Sequence, residues 1–475
     1  MTDAAMLLSA QRAFVIAPAG CGKTQLIADS VRLDATHRSL ILTHTHAGVE
    51  ALRRRLKRVG ADTATYHVDT IAGWGLRLAT ALPTTSGIVT ERPAEKQWDE
   101  VYRATGRLLR IDAIKAVVRA SFDAVYVDEY QDCSTLQHEM VLGLAGLLPT
   151  RILGDPLQGI FKFRDSQLVD WQAHVAAAFA ELPPLATPHR WAGTNPGLGR
   201  WLGVVREKLE GGQPIDVREA PEGVVRFVTL PGDPRERGTV QREVCLSATC
   251  PPGQTLVAIH NWEPQCHDVA RHTRGKFRSL ETMECDALFH AAKVLDDAPD
   301  SGAVAQGVFD FACLCLTHVK TKLVRTAARV IAGRALQRNR EYEHREQLDA
   351  LAEVAATGSL ASARIALLVL ARTKDAAYAR HELFHEMLNA LQEHAAGRHG
   401  CLRDAAVRCR DRTRRTGRTL GRYIVGRTLL VKGLEFDHAL VLDASELNRE
   451  HLYVALTRAS RSLTLLGVSA VLDPR

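Results

Sequence analysis

Short apolar runs alternate with stretches of helical spacing along most of the chain. Ala13-Phe14-Val15-Ile16 is an apolar run, and helical spacing follows from Leu26 to Val31. A second run, Ser39 to Leu42, precedes a helical pattern from Ala47 to Val59 that carries Arg53, Arg54, Arg55, Lys57 and Arg58. Thr65 to Val68 reads as a strand and Thr70 to Leu78 as a helix start, before a weakly patterned helical insertion over 79–119. Phe122 to Val127 and a run ending at Gly154 are further strands. The pattern restarts after Gly223, with strands at Val224 to Val228 and Thr255 to His260. Residues 290–420 read as helices, the clearest over Phe309 to Ile331 and Ala361 to Ala396. Strand-type sequence returns at Tyr423 to Val425, Thr428 to Asp437, His438 to Leu442 and Ser462 to Leu466. Strands alternating with helices imply parallel sheets covered on both faces. The expected class is therefore α/β, with the second α/β unit interrupted by helices.

Composition bounds this picture. A chain of 475 residues has room for two to four domains. No apolar run reaches the roughly 20 residues that span a bilayer, and the N-terminus lacks the basic segment of a signal peptide. The cytoplasm is the expected compartment. Ten cysteines without metal-ligand spacing read as buried thiols of a reducing compartment. The 61 Lys and Arg against 54 Asp and Glu leave a net charge of +7. Nine Arg and two Asp fall between Cys401 and Arg427. That stretch, with Arg412, Arg414 and Arg415 at its centre, reads equally as a phosphate-backbone contact surface and as a solvated helix or linker.

The chemistry begins at Ala17-Pro18-Ala19-Gly20-Cys21-Gly22-Lys23-Thr24-Gln25. Strand, glycine turn, Lys-Thr and helix is the order of a P-loop. Glycines let backbone N–H groups turn toward a phosphate, Lys23 supplies a cation for the β- and γ-phosphates, and Thr24 offers a hydroxyl to Mg²⁺. The expected ligand is a nucleoside triphosphate, cradled by Ala19 to Gln25. An apolar strand ending in Asp128-Glu129, with Gln131-Asp132 behind it, supplies the other half. Asp128 is the candidate Mg²⁺ partner, and Glu129 the base that orients and deprotonates water. In Gly154-Asp155-Pro156-Leu157-Gln158, Gln158 is placed to sense the γ-phosphate. Phe161 and Phe163 are candidates for stacking on nucleic-acid bases or for core packing.

These motifs together resemble superfamily 1 helicases of the UvrD/Rep/PcrA type. Gly20 to Thr24 resembles motif I, Leu42 to His46 motif Ia, and Thr70 to Arg77 motif Ib. Val127-Asp128-Glu129-Tyr130-Gln131-Asp132 is very like motif II, and Gly154 to Arg164 like motif III. His189-Arg190, Lys432 to Asp437 and Tyr453 to Ala459 stand where motifs IV, V and VI do. The resemblance implies two RecA-like P-loop lobes with parallel sheets, each with a mainly helical insertion. It puts the first lobe at 1–78 and 120–190, with its insertion at 79–119. The second lobe would occupy 191–289 and 421–475, with its insertion at 290–420. It implies that Arg190 and Arg458 are arginine fingers, that His189, Gly433 and Glu435 lie on the nucleotide, and that His44, Thr70 and Phe163 lie on DNA.

The implied activity is an ATP- and Mg²⁺-dependent translocase or helicase on single-stranded or tailed double-stranded DNA, moving 3′ to 5′, in repair or anti-phage defence. Departures from the family accompany it. No Gln stands about 20 residues before Lys23, and His189 replaces a stacking Tyr, which implies a loose choice among nucleoside triphosphates. His44 replaces Phe, Ala72 replaces the motif Ib His, and Leu429 stands where motif V has His. The small insertions also resemble helicase subunits of Gabija-type systems, which work beside a separate nuclease. The rival expectation is therefore a DNA-sensing NTPase that regulates a partner nuclease with little unwinding of its own.

Overall fold

A computed structural model describes residues 2–91, 93–161, 167–282, 285–337, 341–416, 418 and 420–474. The chain divides into two compact units. The first comprises Met1–Val224, Leu447–Arg461 and Asp473–Arg475, and the second Val225–Glu446 and Ser462–Leu472. Three segments thus fall outside the lobe boundaries expected from sequence. Residues 191–224, the motif VI segment, 447–461, and residues 473–475 all join the first unit.

In the first unit, β1 (Arg12–Ile16), β2 (Ser39–Thr43), β3 (Tyr66–Thr70), β4 (Ala124–Val127), β5 (Thr150–Gly154) and β6 (Ala180–Leu182) form one sheet in the order β3-β2-β4-β5-β1-β6. Every pairing is parallel. Strand side chains alternate between faces, and here both faces are apolar. Phe14, Leu40, Leu42, Val125, Val127 and Ile152 enter one core. Their neighbours Val15, Ile41, Ala124, Tyr126 and Leu153 enter the other. Such double burial explains why β2, β4 and β5 are buried at every position and read as continuous apolar runs. Parallel pairing also brings all the strand ends that precede motifs I, Ia, Ib, II and III to one edge. The insertion between β3 and β4 forms helices at Pro83–Ser86, Trp98–Leu108 and Asp112–Ser121.

The second unit holds β7 (Val225–Thr229), β8 (Leu256–Ile259), β9 (Arg278–Ser279), β10 (Tyr423–Gly426), β11 (Phe436–Val441) and β12 (Ala459–Gly467, which begins in the first unit). Their order is β9-β10-β8-β11-β12-β7. Between β9 and β10, helices from Asp286–Asp296 to Leu402–Thr416 build a core of their own around Phe309, Phe311, Leu367, Phe384 and Leu391. The two long helices expected there are each divided. Ser301–Cys315 ends before Val319–Ile331, where His318 takes a left-handed φ of 61°. Leu360–Leu370 is separated from His381–Ala395 by a loop that bridges Tyr378 to Leu316. Thr428–Val431, expected as strand, is one helical turn. There the Val431 and Lys432 N–H groups donate to the carbonyls of Arg427 and Thr428, and the buried Thr428 hydroxyl donates to Asn261. Among the described residues no helix is long and apolar enough to cross a membrane, and all ten cysteines are free thiols.

Candidate active site

The P-loop follows β1 directly. Ala17 N–H donates to the Gly154 carbonyl across the β1–β5 edge (2.8 Å), and the helix Lys23–Leu33 begins at Gly22. Gly20 has φ 73°, and a Cβ there would lie 2.8 Å from both Arg190 Cβ and the Trp191 ring. Glycine is thus required twice, for its backbone and for its neighbours. The Arg190 N–H donates to the Gly20 carbonyl (3.2 Å). A Cβ on Gly22 would meet the His189 ring at 3.3 Å. The structure therefore sets His189 and Arg190 against the P-loop.

The side chains at this edge converge. Lys23 Nζ lies 2.7 Å from Glu129 and 3.5 Å from Asp128. Burial works against its charge, but these two carboxylates outweigh burial and hold the pKa above the ordinary lysine value. Thr24 Oγ1 donates to Asp128 (3.2 Å). Burial raises the Asp128 pKa, with Lys23 opposing the rise. Glu129 adopts a left-handed φ of 57°, a conformation that costs a non-glycine residue on the order of 1 kcal/mol and concentrates at functional sites. Gln131 fixes it. Its amide nitrogen donates to Glu129 (2.5 Å), and its amide oxygen accepts from Asp155 N–H (2.9 Å). Gly154 leaves room for this bridge, because a Cβ there would sit 2.8 Å from the Gln131 oxygen and 2.6 Å from Trp171.

Motif III and motif VI residues complete the cluster. Gln158 donates to the fully buried Asp155 carboxylate (2.7 Å), and its amide oxygen accepts from Arg458 (3.4 Å). Arg458, 1% exposed, also donates to Val454 O and Thr457 Oγ1. Arg190 donates to Thr457 O (2.6 Å). Burial, with Asp155 next, pushes the Cys21 thiol up to about 11, so it stays protonated. Thr24 and Asp128 together offer a hydroxyl and a carboxylate, the hard oxygen donors that suit Mg²⁺ when phosphate and water supply the rest. Among the described residues no three His, Cys, Asp or Glu group into a protein-only metal site.

Sequence reading missed three members. Gln131 and Asp155 lay inside recognised motifs but carried no assigned role. Arg206 lay in none. Its one signal is position: on the helix Pro196–Glu210 it follows Leu198, Leu202 and Val205 along the buried stripe, where a cation needs a reason.

The residues expected on DNA are less uniform. His44 is half-buried, with its Nε2 3.4 Å from Cys133 Sγ. Thr70 is 5% exposed, and its hydroxyl accepts from Gly73 N–H (2.9 Å) as a helix cap. Phe161 is half-buried, and Phe163 lies outside the described residues, as do the Arg414 and Arg415 side chains. Arg412 is exposed and pairs with Glu393 (3.1 Å). Gly433 and Glu435 occupy an exposed turn before β11 in the second unit. Other arginines of the basic stretch turn inward. Arg410, 1% exposed, pairs with Glu382 (2.5 Å) and Glu386 (3.5 Å) and donates to the Thr282 carbonyl. Arg418 reaches Glu382 and the Glu281 carbonyl, and Arg380 grips Glu281 with both sides of its fork. These ion pairs fasten the last two insertion helices to the chain leaving β9. Neither open expectation for the stretch, surface patch or solvated linker, included that.

Two parallel sheets, the first with a P-loop and an Asp-Glu pair at one edge, define the α/β class of RecA-like P-loop proteins. Within that class, residues 94–173 match the family described as UvrD/REP helicase N-terminal domain, which bears out the resemblance to UvrD-like superfamily 1 helicases read from the motifs. The match covers motifs II and III. No curated protein matches the chain. Among solved structures, it is similar to arterivirus nonstructural protein 10 (helicase) in complex with DNA, at 11% identity over 97% of this chain and 61% of that one, with a TM-score of 0.36. It is also similar to Pif1 helicase from Candida albicans (13% identity, 58% of this chain, 53% of that one, TM-score 0.32) and to the PRRSV helicase (11%, 98%, 54%, 0.34). The chain thus spans only about half to three-fifths of the length of these proteins.

Proposed function

We propose that this chain is an ATP-dependent translocase or helicase on single-stranded DNA, moving 3′ to 5′. The observation that carries the reading is the convergence of Lys23, Thr24, Asp128, Glu129, Gln158 and Arg458 at one sheet edge, the first four through direct mutual contacts and the Gln158–Arg458 pair through Asp155 and Gln131. Incoming β- and γ-phosphates take the place of Glu129 as the partner of Lys23, over the N–H groups of the P-loop. Mg²⁺, bound beside Thr24 and Asp128, would neutralise phosphate charge. Glu129, released from Lys23 and still oriented by Gln131, accepts a proton from water as its oxygen bonds to the γ-phosphorus. The bond to the bridging oxygen breaks, leaving nucleoside diphosphate and phosphate. Gln158 orients this water, and Arg190 and Arg458 stabilise the charge on the transferring group. His189 over the P-loop, in place of a larger aromatic side chain, supports acceptance of more than one base. The ten free thiols suit a reducing cytoplasm.

One observation favours the second reading, a DNA-sensing NTPase subunit beside a nuclease. His44 and Thr70, expected on DNA, spend their polar atoms inside the first unit. Steady-state hydrolysis with and without single-stranded DNA, together with unwinding of a 3′-tailed duplex, separates the two. DNA-stimulated hydrolysis with strand displacement supports the motor. Stimulated hydrolysis with an intact duplex supports the sensor. Absence of hydrolysis under both conditions removes both.

A further inference from the structure

Arg206 is 8% exposed and belongs to no nucleotide-binding motif. Its Nη1 donates to Asp155 Oδ1 (2.7 Å) and to the Tyr453 hydroxyl (3.1 Å), its Nη2 lies 2.8 Å from Glu210, and its guanidinium covers the Tyr453 ring at 5.4 Å. The Tyr453 hydroxyl in turn accepts from the P-loop N–H of Ala19 (3.4 Å). Asp155 accepts from Gln158 through its other oxygen, and Gln158 accepts from Arg458. One buried guanidinium therefore joins P-loop, motif III and motif VI.

We infer that Arg206 is a positioning residue for hydrolysis, which sets the orientation of Gln158 and Arg458 by holding the Asp155 side chain in place. The inference rests on the proposed reading of the site. Its core is the direction of one amide. Asp155 takes the Gln158 nitrogen on Oδ2 and Arg206 on Oδ1, which leaves the Gln158 oxygen facing Arg458. Among the described residues Arg206 is the cation hydrogen-bonded to Asp155. Without it, Oδ1 loses that partner and the side chain that aims Gln158 is no longer held from both sides.

The test compares wild type, Arg206→Met and Arg206→Lys by steady-state hydrolysis at saturating DNA, with Lys23→Ala as the inactive control. For Arg206→Met we expect kcat lowered about tenfold or more with KM within about threefold, the pattern of an interaction that acts in the transition state. Arg206→Lys restores the cation and should bring kcat back to within about threefold of wild type. Arg206→Met with kcat within about threefold of wild type overturns the inference. So does a loss of kcat that Arg206→Lys does not rescue, which a merely structural role would give. If Arg206→Met lacks a cooperative thermal transition, Tyr453→Phe, which keeps the ring beneath Arg206, carries the test. A kcat lowered at least threefold supports the inference, and an unchanged one overturns it. An inactive wild type overturns the reading of the site and this inference together. An active wild type with unaltered variants overturns the inference alone.

Discussion

Glu129→Gln should separate binding from hydrolysis, and in opposite directions. Glu129 makes an ion pair with Lys23 at 2.7 Å and accepts a hydrogen bond from Gln131 at 2.5 Å. Glutamine keeps the shape but loses the charge, so the Lys23 ion pair that persists is the one to Asp128 at 3.5 Å. A charge-assisted hydrogen bond contributes about 1.5–3 kcal/mol. Glu129 is 31% exposed, so solvent screens the pair and the lower end applies. Phosphates entering the site no longer compete with that carboxylate, and nucleotide affinity should rise about tenfold, the equivalent of about 1.4 kcal/mol. Hydrolysis loses its base and should fall by about 10²- to 10⁴-fold. Titration of a fluorescent ATP analogue with Mg²⁺ reads the affinity, and single-turnover phosphate release reads the chemistry. Turnover within tenfold of wild type would refute the assignment of the base. Weaker nucleotide binding would refute the Lys23–Glu129 pair as a latch that nucleotide must open.

Gly154→Ala brings a Cβ to 2.6 Å from Trp171 and 2.8 Å from Gln131; a loss of about 1–3 kcal/mol in urea unfolding is expected, with slower hydrolysis through a displaced Gln131. Arg410→Met takes the buried cation from Glu386 and leaves Glu382 with Arg418, and should lower stability by about 3–5 kcal/mol, whereas Arg412→Ala, at an exposed pair, should cost under about 1 kcal/mol; equal melting shifts would contradict the burial argument. The triple variant Arg412→Ala, Arg414→Ala and Arg415→Ala should bind single-stranded DNA more weakly, with a salt slope reduced by up to about 0.7 per lost phosphate contact; an unchanged slope returns this stretch to a structural role. His138 and His260 are buried, and burial lowers each to about 4 from 6.5. Their folded-state pKa lies below the unfolded value, so their stabilisation is complete above about pH 6.5 and is lost as pH falls toward 4, by at most about 3 kcal/mol each. Urea midpoints that do not change between pH 7 and pH 5 would contradict this.

The meeting of the P-loop with Asp128-Glu129 was legible in sequence because its geometry is local. A P-loop needs only its own nine residues and the strand before it, and Asp128-Glu129 needs only to end a strand of the same sheet. Parallel pairing then brings the two together without further instruction. The double apolar faces of β2, β4 and β5 are equally local, since each strand carries both cores in alternate residues. Helix ends inside the insertion were not legible. Nothing in Phe309 to Ile331 breaks the apolar spacing where His318 turns left-handed, and the loop over Tyr378 takes its shape from a bridge to Leu316, more than 60 residues away. Thr428 to Val431 has strand composition, yet it turns because Thr428 is buried against Asn261. Tertiary partners overrode propensity in each case.

Charge was read least well, and for one physical reason. A run of arginines shows how much charge is present but not which carboxylates face it, and those carboxylates come from distant segments. Glu281 answers Arg380 across 99 residues and Glu382 answers Arg410 across 28, with Arg418 on the same Glu382. Asp155 answers Arg206 across 51. Removing a guanidinium from water is costly unless a carboxylate and further acceptors meet it in good geometry, so each buried arginine marks a place where two segments must be held in one arrangement. In the second unit that place is the root of the helical insertion. In the first unit it is the junction of P-loop, motif III and motif VI, where the same arrangement sets which way Gln158 faces. An arginine standing on the apolar stripe of a helix, as Arg206 does after Leu198, Leu202 and Val205, is therefore a better guide to the working parts of this chain than the nine arginines gathered between Cys401 and Arg427.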